Sequence, residues 1–345
     1  MIRIALQPPK VTTVPPAVDL WKLSKGYLSV WVALSALPGY LVSSPFSAPV
    51  AVGVLAGTAL ASAASQAFNQ IQEVDLDRKM NRTKNRPLPC GRISIETAHK
   101  LATLWGISGF SLLTLASGGS LAPAAIALGT IALYVKVYTP MKTSSSYNTH
   151  VGAIAGSLPV TIGFAVAGGF PILLTPEPWV LLALQTLWQF PHFYPLAWIH
   201  KSDYTQAGYK MFPLSDQTGK ETAKMCAPYM IALGLVPFAS SWLGATSWMF
   251  PISGTLVNFL YCKQWHDFYT HPSRSTARKY FLGSLGYLVA IMGLYVVHLN
   301  ETEGSTLHSW RRSLKAKMAS LCVHEREAKD PVIPASLCVR CRELD

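Results

Sequence analysis

The sequence predicts an all-α, polytopic membrane protein, folded as a bundle of about nine transmembrane helices. Charged residues make up only 13% of the 345 residues, whereas soluble domains contain about 25%. Half of the residues are hydrophobic, and the mean hydropathy is +0.28. Six stretches contain no Asp, Glu, Lys or Arg, and they are 47, 35, 34, 23, 38 and 21 residues long. These observations exclude the soluble globular, disordered and fibrous classes of protein.

The uncharged stretches hold the predicted spans, because a transmembrane helix needs about 20 apolar residues. The stretches of 47, 35 and 38 residues are each predicted to hold two spans, and the other three stretches hold one span each. Breaks are predicted at Pro45 and Pro49, at the Ser-Gly-Gly-Ser run 117–120, and around Gly244. The predicted spans are 27–43, 49–71, 98–117, 121–138, 149–170, 178–200, a pair within 225–262, and 279–299.

Basic residues predict how the chain is oriented in the membrane. Four alternate loops hold sixteen Lys and Arg residues, whereas the four loops between them hold none. The basic side, which includes the N-terminus, is therefore predicted to be cytoplasmic or mitochondrial-matrix. The net charge of +12 is explained by this asymmetry. Because there is no basic soluble domain, no nucleic-acid partner is expected.

Three regions follow from the spans: an N-terminal segment 1–26, a transmembrane domain 27–299 and a C-terminal tail 300–345. The tail is expected on the opposite face, either disordered or as a surface helix. Its cysteines and His324 form only a weak zinc motif. The N-terminal segment lacks the layout of a signal peptide and does not by itself assign an organelle.

The second predicted span runs into the strongest candidate site. Asn69, Glu73 and Asp77 point in directions about 0°, 40° and 80° around a helix, whereas Asp75 points to about 240°. Stacked amide and carboxylate oxygens suit Mg²⁺, which usually completes its coordination with water and substrate phosphate. A solvated acidic helix end is the alternative explanation of the same residues.

The following basic residues favour the metal site over a solvated helix end. Asp77 begins the string DRKMNRTKNRPL, which places arginines and lysines beside the carboxylates. Guanidinium groups match the oxygens of phosphate groups. Carboxylates, a divalent cation and arginines together indicate that the site binds a diphosphate.

The motif also resembles the first motif of the UbiA-type membrane prenyltransferases, and in particular the branch of that family that farnesylates haem. Further stretches resemble this branch in the same order along residues 27–299. Two departures are Glu73, where many relatives have Asp, and a second acidic motif reduced to Asp203. The further stretches are YTPMK (138–142), GAIAGSLPVTIG (152–163), WQFPHF (188–193) and DYTQAGYKMFP (203–213).

The resemblance implies farnesyl diphosphate as donor, haem b as acceptor, haem O as product, Mg²⁺ as cofactor and a downstream haem A synthase as partner. It implies that Asn69, Glu73, Asp77 and Asp203 hold the metal and diphosphate. The implied cationic contacts are Arg78, Arg82, Arg86, Lys142 and Lys201. Aromatic contacts to the allylic cation are expected from Tyr138, Trp188 and Phe193, and His192 is the candidate haem contact.

Two alternatives stay open at this point. Another UbiA-type enzyme could act on a quinone precursor or a chlorophyllide, and a transporter could also carry polar residues within its spans. The clustering of acids at one rim beside arginines favours the enzyme. The predicted location is the mitochondrial inner membrane, with the bacterial cytoplasmic membrane as the alternative, and with the N-terminus on the matrix or cytoplasmic side.

Overall fold

The computed structural model describes residues 15–300, and within them the chain is almost entirely helical. Besides helices, these residues contain one isolated β-bridge, between Thr246 and Leu299. The α-helices are α1 Ala17–Leu23, α2 Gly26–Ser43, α3 Ala48–Gln72, α4 Val74–Lys79, α5 Ile95–Ala116, α6 Ala122–Ala132, α7 Thr139–Ser144, α8 Asn148–Ser157, α9 Val160–Gly168, α10 Pro176–Ile199, α11 Lys201–Gln206, α12 Lys220–Trp242, α13 Met249–Thr270 and α14 Arg274–His298.

Six helical segments are long and apolar enough to cross a membrane. The other three predicted spans coincide with α5, α10 and α13, which are 22, 24 and 22 residues long. The prediction of a helical membrane bundle is confirmed, whereas the number of nine spans stays a prediction. The six segments are Gly26–Ser43, Ala48–Gln72, Ala122–Ser144, Asn148–Gly168, Lys220–Trp242 and Arg274–His298.

Proline and glycine mark the predicted breaks between helices. Pro45 lies in the short turn between α2 and α3. Gly118 and Gly119 follow α5, and Gly244 follows α12, all with positive φ angles of 66°, 97° and 75°. Glycine adopts this left-handed region at little cost, so the chain can reverse direction there.

Close approach of small residues holds the first half of the bundle together. A Cβ atom added to Gly109 of α5 would lie 2.8 Å from the Gly57 carbonyl oxygen of α3. Small residues allow helix backbones to approach closely in membranes, where packing replaces the hydrophobic driving force. In the second half, aromatic side chains fill the core between α10, α12, α13 and α14, among them the fully buried Tyr261, Phe268 and Tyr280.

The polar end of α3 lies where several loops meet at one end of the bundle. α1 packs on α3, and Lys25, the second of the two residues between α1 and α2, reaches Asn69. The loop after α4 touches the start of α11, since the Arg82 amide lies 3.3 Å from Asp203 Oδ2. Segments far apart in sequence therefore surround one group of buried polar side chains.

Candidate active site

Asn69, Glu73 and Asp77 form one buried polar face at the end of α3 and in α4. Their exposed fractions are 0%, 4% and 1%. The Asn69 amide donates to Glu73 Oε2 over 2.8 Å. Asp75, on the opposite face, is exposed and pairs with Arg78 at 2.6 Å. The helix therefore separates a buried set of oxygens from a solvated acid, as the 100° spacing predicts.

Each of the three buried side chains has one basic partner. We call these six residues the rim cluster: Asn69, Glu73, Asp77, Lys25, Lys142 and Arg86. Lysine or arginine side chains reach each oxygen group from three different parts of the chain. Asp77 Oδ1 is buried and, within residues 15–300, has no hydrogen-bond partner. The pairs are Lys25 Nζ with Asn69 Oδ1 at 3.1 Å, Lys142 Nζ with Glu73 Oε1 at 2.8 Å and Arg86 Nη1 with Asp77 Oδ2 at 2.7 Å.

The charges of the rim cluster shift the protonation of its members. Burial alone would raise the pKa of Glu73, but the Lys142 ammonium outweighs burial and lowers this pKa below its ordinary value. Burial, with Arg86 and Lys142 nearby, lowers the pKa of Lys25 to about 7. Lys142 and Arg86 balance the two carboxylates, and protonation of Lys25 gives the cluster an excess positive charge that favours an anion.

A π-helical turn, Leu133–Tyr138, delivers the YTPMK stretch to the cluster. Such turns insert an extra residue into an α-helix and are common at functional sites. The Thr139 hydroxyl accepts from the Asn69 amide at 3.0 Å and donates to the Tyr134 carbonyl oxygen. Lys142 Nζ lies 4.7 Å from the centre of the Tyr138 ring. The turn therefore aims a hydroxyl, an aromatic ring and an ammonium group at one place.

The segment after α10 covers the cluster from outside. The Arg82 guanidinium donates to the Tyr204 hydroxyl at 3.2 Å, beside the contact between its amide and Asp203. Burial and the Glu73 carboxylate raise the pKa of Tyr209, so its phenol stays protonated and can donate to Glu73. Of the candidate residues, Asp203 and Arg82 therefore lie at the outer edge of the rim cluster and are not among its buried members.

Arg78 and Lys201 lie outside the cluster. Arg78 is half exposed and is bound to Asp75. Lys201 donates to the Asp216 carbonyl oxygen and to Gln217 at 3.1 and 3.0 Å. The Asp216 carboxylate in turn accepts backbone amides from Gly219 and Thr222, as a cap for α12. Asp216 is thus a structural residue and does not complete a second acidic motif.

Trp188 and His192 face away from the cluster, toward α14. Trp188 Nε1 donates to the Ser284 carbonyl oxygen at 2.7 Å, and His192 Nδ1 lies 2.7 Å from Ser284 Oγ. The two rings stack with centroids 4.4 Å apart. Phe193, one residue further along, packs against the group that contains Tyr204. Of the three, only Phe193 lies on the cluster side.

Four residues in or beside the cluster were not predicted from the sequence. Thr139, Tyr204 and Tyr209 lie within stretches that resembled the family, but they carry no charge to single them out. Lys25 lies in the N-terminal segment 1–26, which the sequence places on the basic side, and nothing in its sequence neighbourhood links it to Asn69. A basic residue at the start of a span, on the same side as the acids, was the available signal.

The residues present suit a metal that is bound together with a phosphate ligand. Residues 15–300 contain no group of three His, Cys, Asp or Glu side chains able to enclose a metal on their own. The cluster instead offers the Asn69 oxygen and the carboxylates of Glu73 and Asp77, and Asp77 Oδ1 has no partner within residues 15–300. Mg²⁺ is commonly held by one or two carboxylates, with substrate phosphates supplying other ligands. The donor set therefore fits Mg²⁺.

Comparison with known proteins assigns this helical membrane bundle to a family. Residues 30–285 match the model of the UbiA prenyltransferase family. The chain therefore belongs to the UbiA prenyltransferase family, which confirms the resemblance seen in the motifs. This membership does not favour the transporter alternative.

The similar curated proteins carry one name. The chain is 37% identical to the mitochondrial protoheme IX farnesyltransferase of Arabidopsis thaliana over 81% of this chain and 64% of that protein. It is 38% identical to the protoheme IX farnesyltransferase of Rhodopirellula baltica over 69% and 84%. The human mitochondrial protoheme IX farnesyltransferase is 35% identical over 79% and 60%. The chain thus spans less than two thirds of these two mitochondrial relatives.

Solved structures share the fold at low sequence identity. The structure of a digeranylgeranylglyceryl phosphate synthase aligns with a TM-score of 0.65 and 14% identity, over 81% of this chain and 97% of that one. A UbiA homologue from Archaeoglobus fulgidus, bound to DMAPP and Mg²⁺, aligns with a TM-score of 0.57 and 16% identity, over 81% and 99%.

Proposed function

We propose that the chain transfers the farnesyl group of farnesyl diphosphate to a vinyl group of protohaem IX (haem b), which gives haem O and diphosphate. The rim cluster carries the proposal, because buried oxygen ligands paired with three basic side chains suit a metal diphosphate. The names of the curated relatives support farnesyl diphosphate and haem b as the particular substrates.

The basic side chains of the cluster would bind the diphosphate. Lys142 and Arg86 already lie at the cluster, and the exposed Arg82 stands at its rim. Asn69, Glu73 and Asp77 would hold Mg²⁺, which when bound neutralises charge on the leaving group. Asp203, whose carboxylate lies beside the Arg82 amide, would extend the same set from the opposite side.

The protein's electrostatic task is to stabilise the diphosphate as it leaves. The bond between farnesyl C1 and the bridging oxygen breaks, and its electron pair departs with the diphosphate. Fixed cations aimed at this developing charge lower the barrier because they need no reorganisation. Tyr138, beside Lys142, offers a ring face that shields the allylic cation. Phe193 of α10, which packs against the group that contains Tyr204, is a second candidate for shielding the allylic cation.

The acceptor then completes the reaction without a covalent enzyme intermediate. The vinyl group of haem b donates its π electrons to farnesyl C1 and forms the new carbon–carbon bond. The other vinyl carbon becomes cationic and takes up water, which loses a proton to solvent and leaves the hydroxyl of haem O. His192 faces α14 rather than the cluster, and it is proposed to contact the haem b ring away from the reacting vinyl group, through Nε2, because Nδ1 is already bound to Ser284.

We propose the mitochondrial inner membrane as the location, with the bacterial cytoplasmic membrane as the alternative, and with the cluster on the matrix or cytoplasmic side. Mitochondrial and bacterial proteins both occur among the relatives, and the basic loops support the orientation. Contact with a downstream haem A synthase is a prediction of the family resemblance alone.

The direct test uses purified protein with haem b, farnesyl diphosphate and Mg²⁺, followed by mass spectrometry. We expect haem O, and we expect none after EDTA treatment. Parallel reactions replace haem b with 4-hydroxybenzoate or a chlorophyllide. Prenylation of one of these acceptors, without haem O, would replace the proposal with the quinone or chlorophyll alternative.

A further inference from the structure

Each of the three buried ligand residues of the rim cluster already contacts a basic side chain of the protein itself, although Asp77 Oδ1 has no partner within residues 15–300. We infer that Lys25, Lys142 and Arg86 hold the ligand positions while substrate is absent, and that Mg²⁺ and diphosphate therefore enter as one unit. In this exchange, Lys25 passes from the Asn69 oxygen to the diphosphate. The inference rests on the proposed function, because it specifies how that same site takes up its metal diphosphate.

The reason for exchange is electrostatic. Lys25 Nζ is 3.1 Å from Asn69 Oδ1, so a divalent cation on this oxygen would need the place that the Lys25 amino group holds, and the protonated form of that group would repel it. Like charges at such a distance repel strongly where water is largely excluded. A diphosphate removes the conflict, since it offers new acceptor oxygens to the displaced basic groups. Metal alone should therefore bind weakly, and metal with diphosphate should bind tightly.

Lys25 is the member of the cluster best able to move. Lys142 and Arg86 are each paired with a buried carboxylate, at 2.8 and 2.7 Å. Lys25 contacts a neutral amide instead, and among residues 15–300 it forms no ion pair with a carboxylate. Hydrogen bonds between two ions are stronger than those with one neutral partner. The Lys25 contact is accordingly the first that an incoming anion can replace.

The backbone around Lys25 shows that its position is built into the fold. Lys25 has φ 46° and ψ 53°, and it is the only non-glycine residue with positive φ in residues 15–300. A residue keeps this left-handed conformation when its surroundings impose it. The following residue, Gly26, leaves room for the Trp21 ring, where a Cβ would clash.

Two further contacts fix the segment before Lys25. Arg92 binds Asp19 of α1 through a bidentate pair at 3.0 and 3.1 Å. The Gln70 amide, next to Asn69, donates to the Lys22 and Leu23 carbonyl oxygens at the end of α1. α1 thus holds Lys25 against the site, so the described part of the N-terminal segment, from α1 to Lys25, supports the binding site.

The test compares two titrations of the full-length protein in detergent. One uses Mn²⁺ alone and follows the EPR signal of the free ion, and the other uses the preformed manganese–diphosphate complex. We expect wild-type protein to bind the complex at least about 10-fold more tightly than Mn²⁺ alone. Lys25→Met should bind Mn²⁺ alone about 10-fold more tightly and the complex about 10-fold less tightly, the factor typical of one charge-assisted hydrogen bond.

Two further variants control for folding and for charge. Lys25→Asn also removes the ammonium group, and asparagine adopts the left-handed conformation readily, so it should repeat the result of Lys25→Met. Lys100→Met removes an exposed positive charge on α5 and should change neither affinity.

The possible outcomes separate the inference from the proposed function. If wild-type protein binds neither Mn²⁺ nor the complex, the proposed metal-diphosphate site and the inference both fail. If it binds the complex, but Mn²⁺ alone binds equally well, only the inference is overturned. Unchanged affinities in both Lys25 variants would likewise overturn the inference and leave the proposed function in place.

Discussion

The rim cluster and the interface between α10 and α14 both place polar side chains among apolar helices, but they satisfy them differently. In the interface, neutral groups bond to one another, as Trp188 and His192 do with Ser284. In the cluster, ionised groups pair, and the buried Asp77 Oδ1 keeps unused acceptor capacity within residues 15–300. The cluster thus combines buried ion pairs with a carboxylate oxygen that has no partner among the described residues, whereas the interface contains neutral hydrogen-bonded pairs.

The largest effect on stability is expected when one partner of a buried ion pair is removed. Lys142→Met leaves the buried Glu73 carboxylate without its cation, and breaking such pairs costs about 3–5 kcal/mol. We expect this loss in the free energy of unfolding, measured in mixed micelles, together with loss of haem O synthesis. The double variant Lys142→Met/Glu73→Gln should regain most of the stability, because no charge remains unpaired, but none of the activity.

The exposed pair Lys224–Glu221 provides the matched control for this prediction. Both of its side chains are about half exposed, and such pairs contribute about 0–1 kcal/mol. Lys224→Met should therefore lie within about 1 kcal/mol of wild type. Equal losses for Lys142→Met and Lys224→Met would contradict the description of the cluster as a buried charge network.

A smaller and different effect is expected at His192. His192→Ala removes the Ser284 hydrogen bond and the stack on Trp188. We expect haem b to bind more weakly, as read from its Soret absorbance, while binding of farnesyl diphosphate stays nearly unchanged. An unaltered haem spectrum and affinity, with only lower stability, would make His192 a packing residue of the α10–α14 interface.

The smallest effect is expected from the C-terminal tail, which lies outside the described residues from 301 onward. Truncation after Asn300 keeps the bonds from Asn300 to Ala245 and Gly244. Every proposed diphosphate ligand lies upstream, so haem O synthesis should stay close to the wild-type rate. A folded but inactive truncated protein would show that the tail takes part in catalysis.

Much of the fold was predictable, because the absence of charge is a strong constraint in lipid. The span predicted at 27–43 corresponds to Gly26–Ser43, and that at 178–200 to Pro176–Ile199. The common face of Asn69, Glu73 and Asp77 followed from helical geometry alone. These features depend on composition and on spacing within one helix.

Other features of the site depend on tertiary contacts and were not predictable. Arg78 and Lys201 have the right charge, but neighbouring groups turn them toward Asp75 and the loop at Asp216. The π-helical turn before Thr139 leaves no mark in composition. Lys25 reaches Asn69 because α1 is fixed from two directions. Sequence thus indicates which residues can do the chemistry, and packing decides which of them meet.

The most direct test of the rim cluster compares two variants of one short segment, Asp77→Asn and Asp75→Asn. Each removes one carboxylate, but Asp77 is buried in the cluster, whereas Asp75 is exposed on the other face. Loss of a single charged contact to the reacting groups commonly lowers the rate by about 10²–10³. We therefore expect Asp77→Asn to reduce the initial rate of haem O formation by that factor, and Asp75→Asn to remain near wild type. Near-equal rates of the two folded variants would contradict the assignment of Asn69, Glu73 and Asp77 to one site.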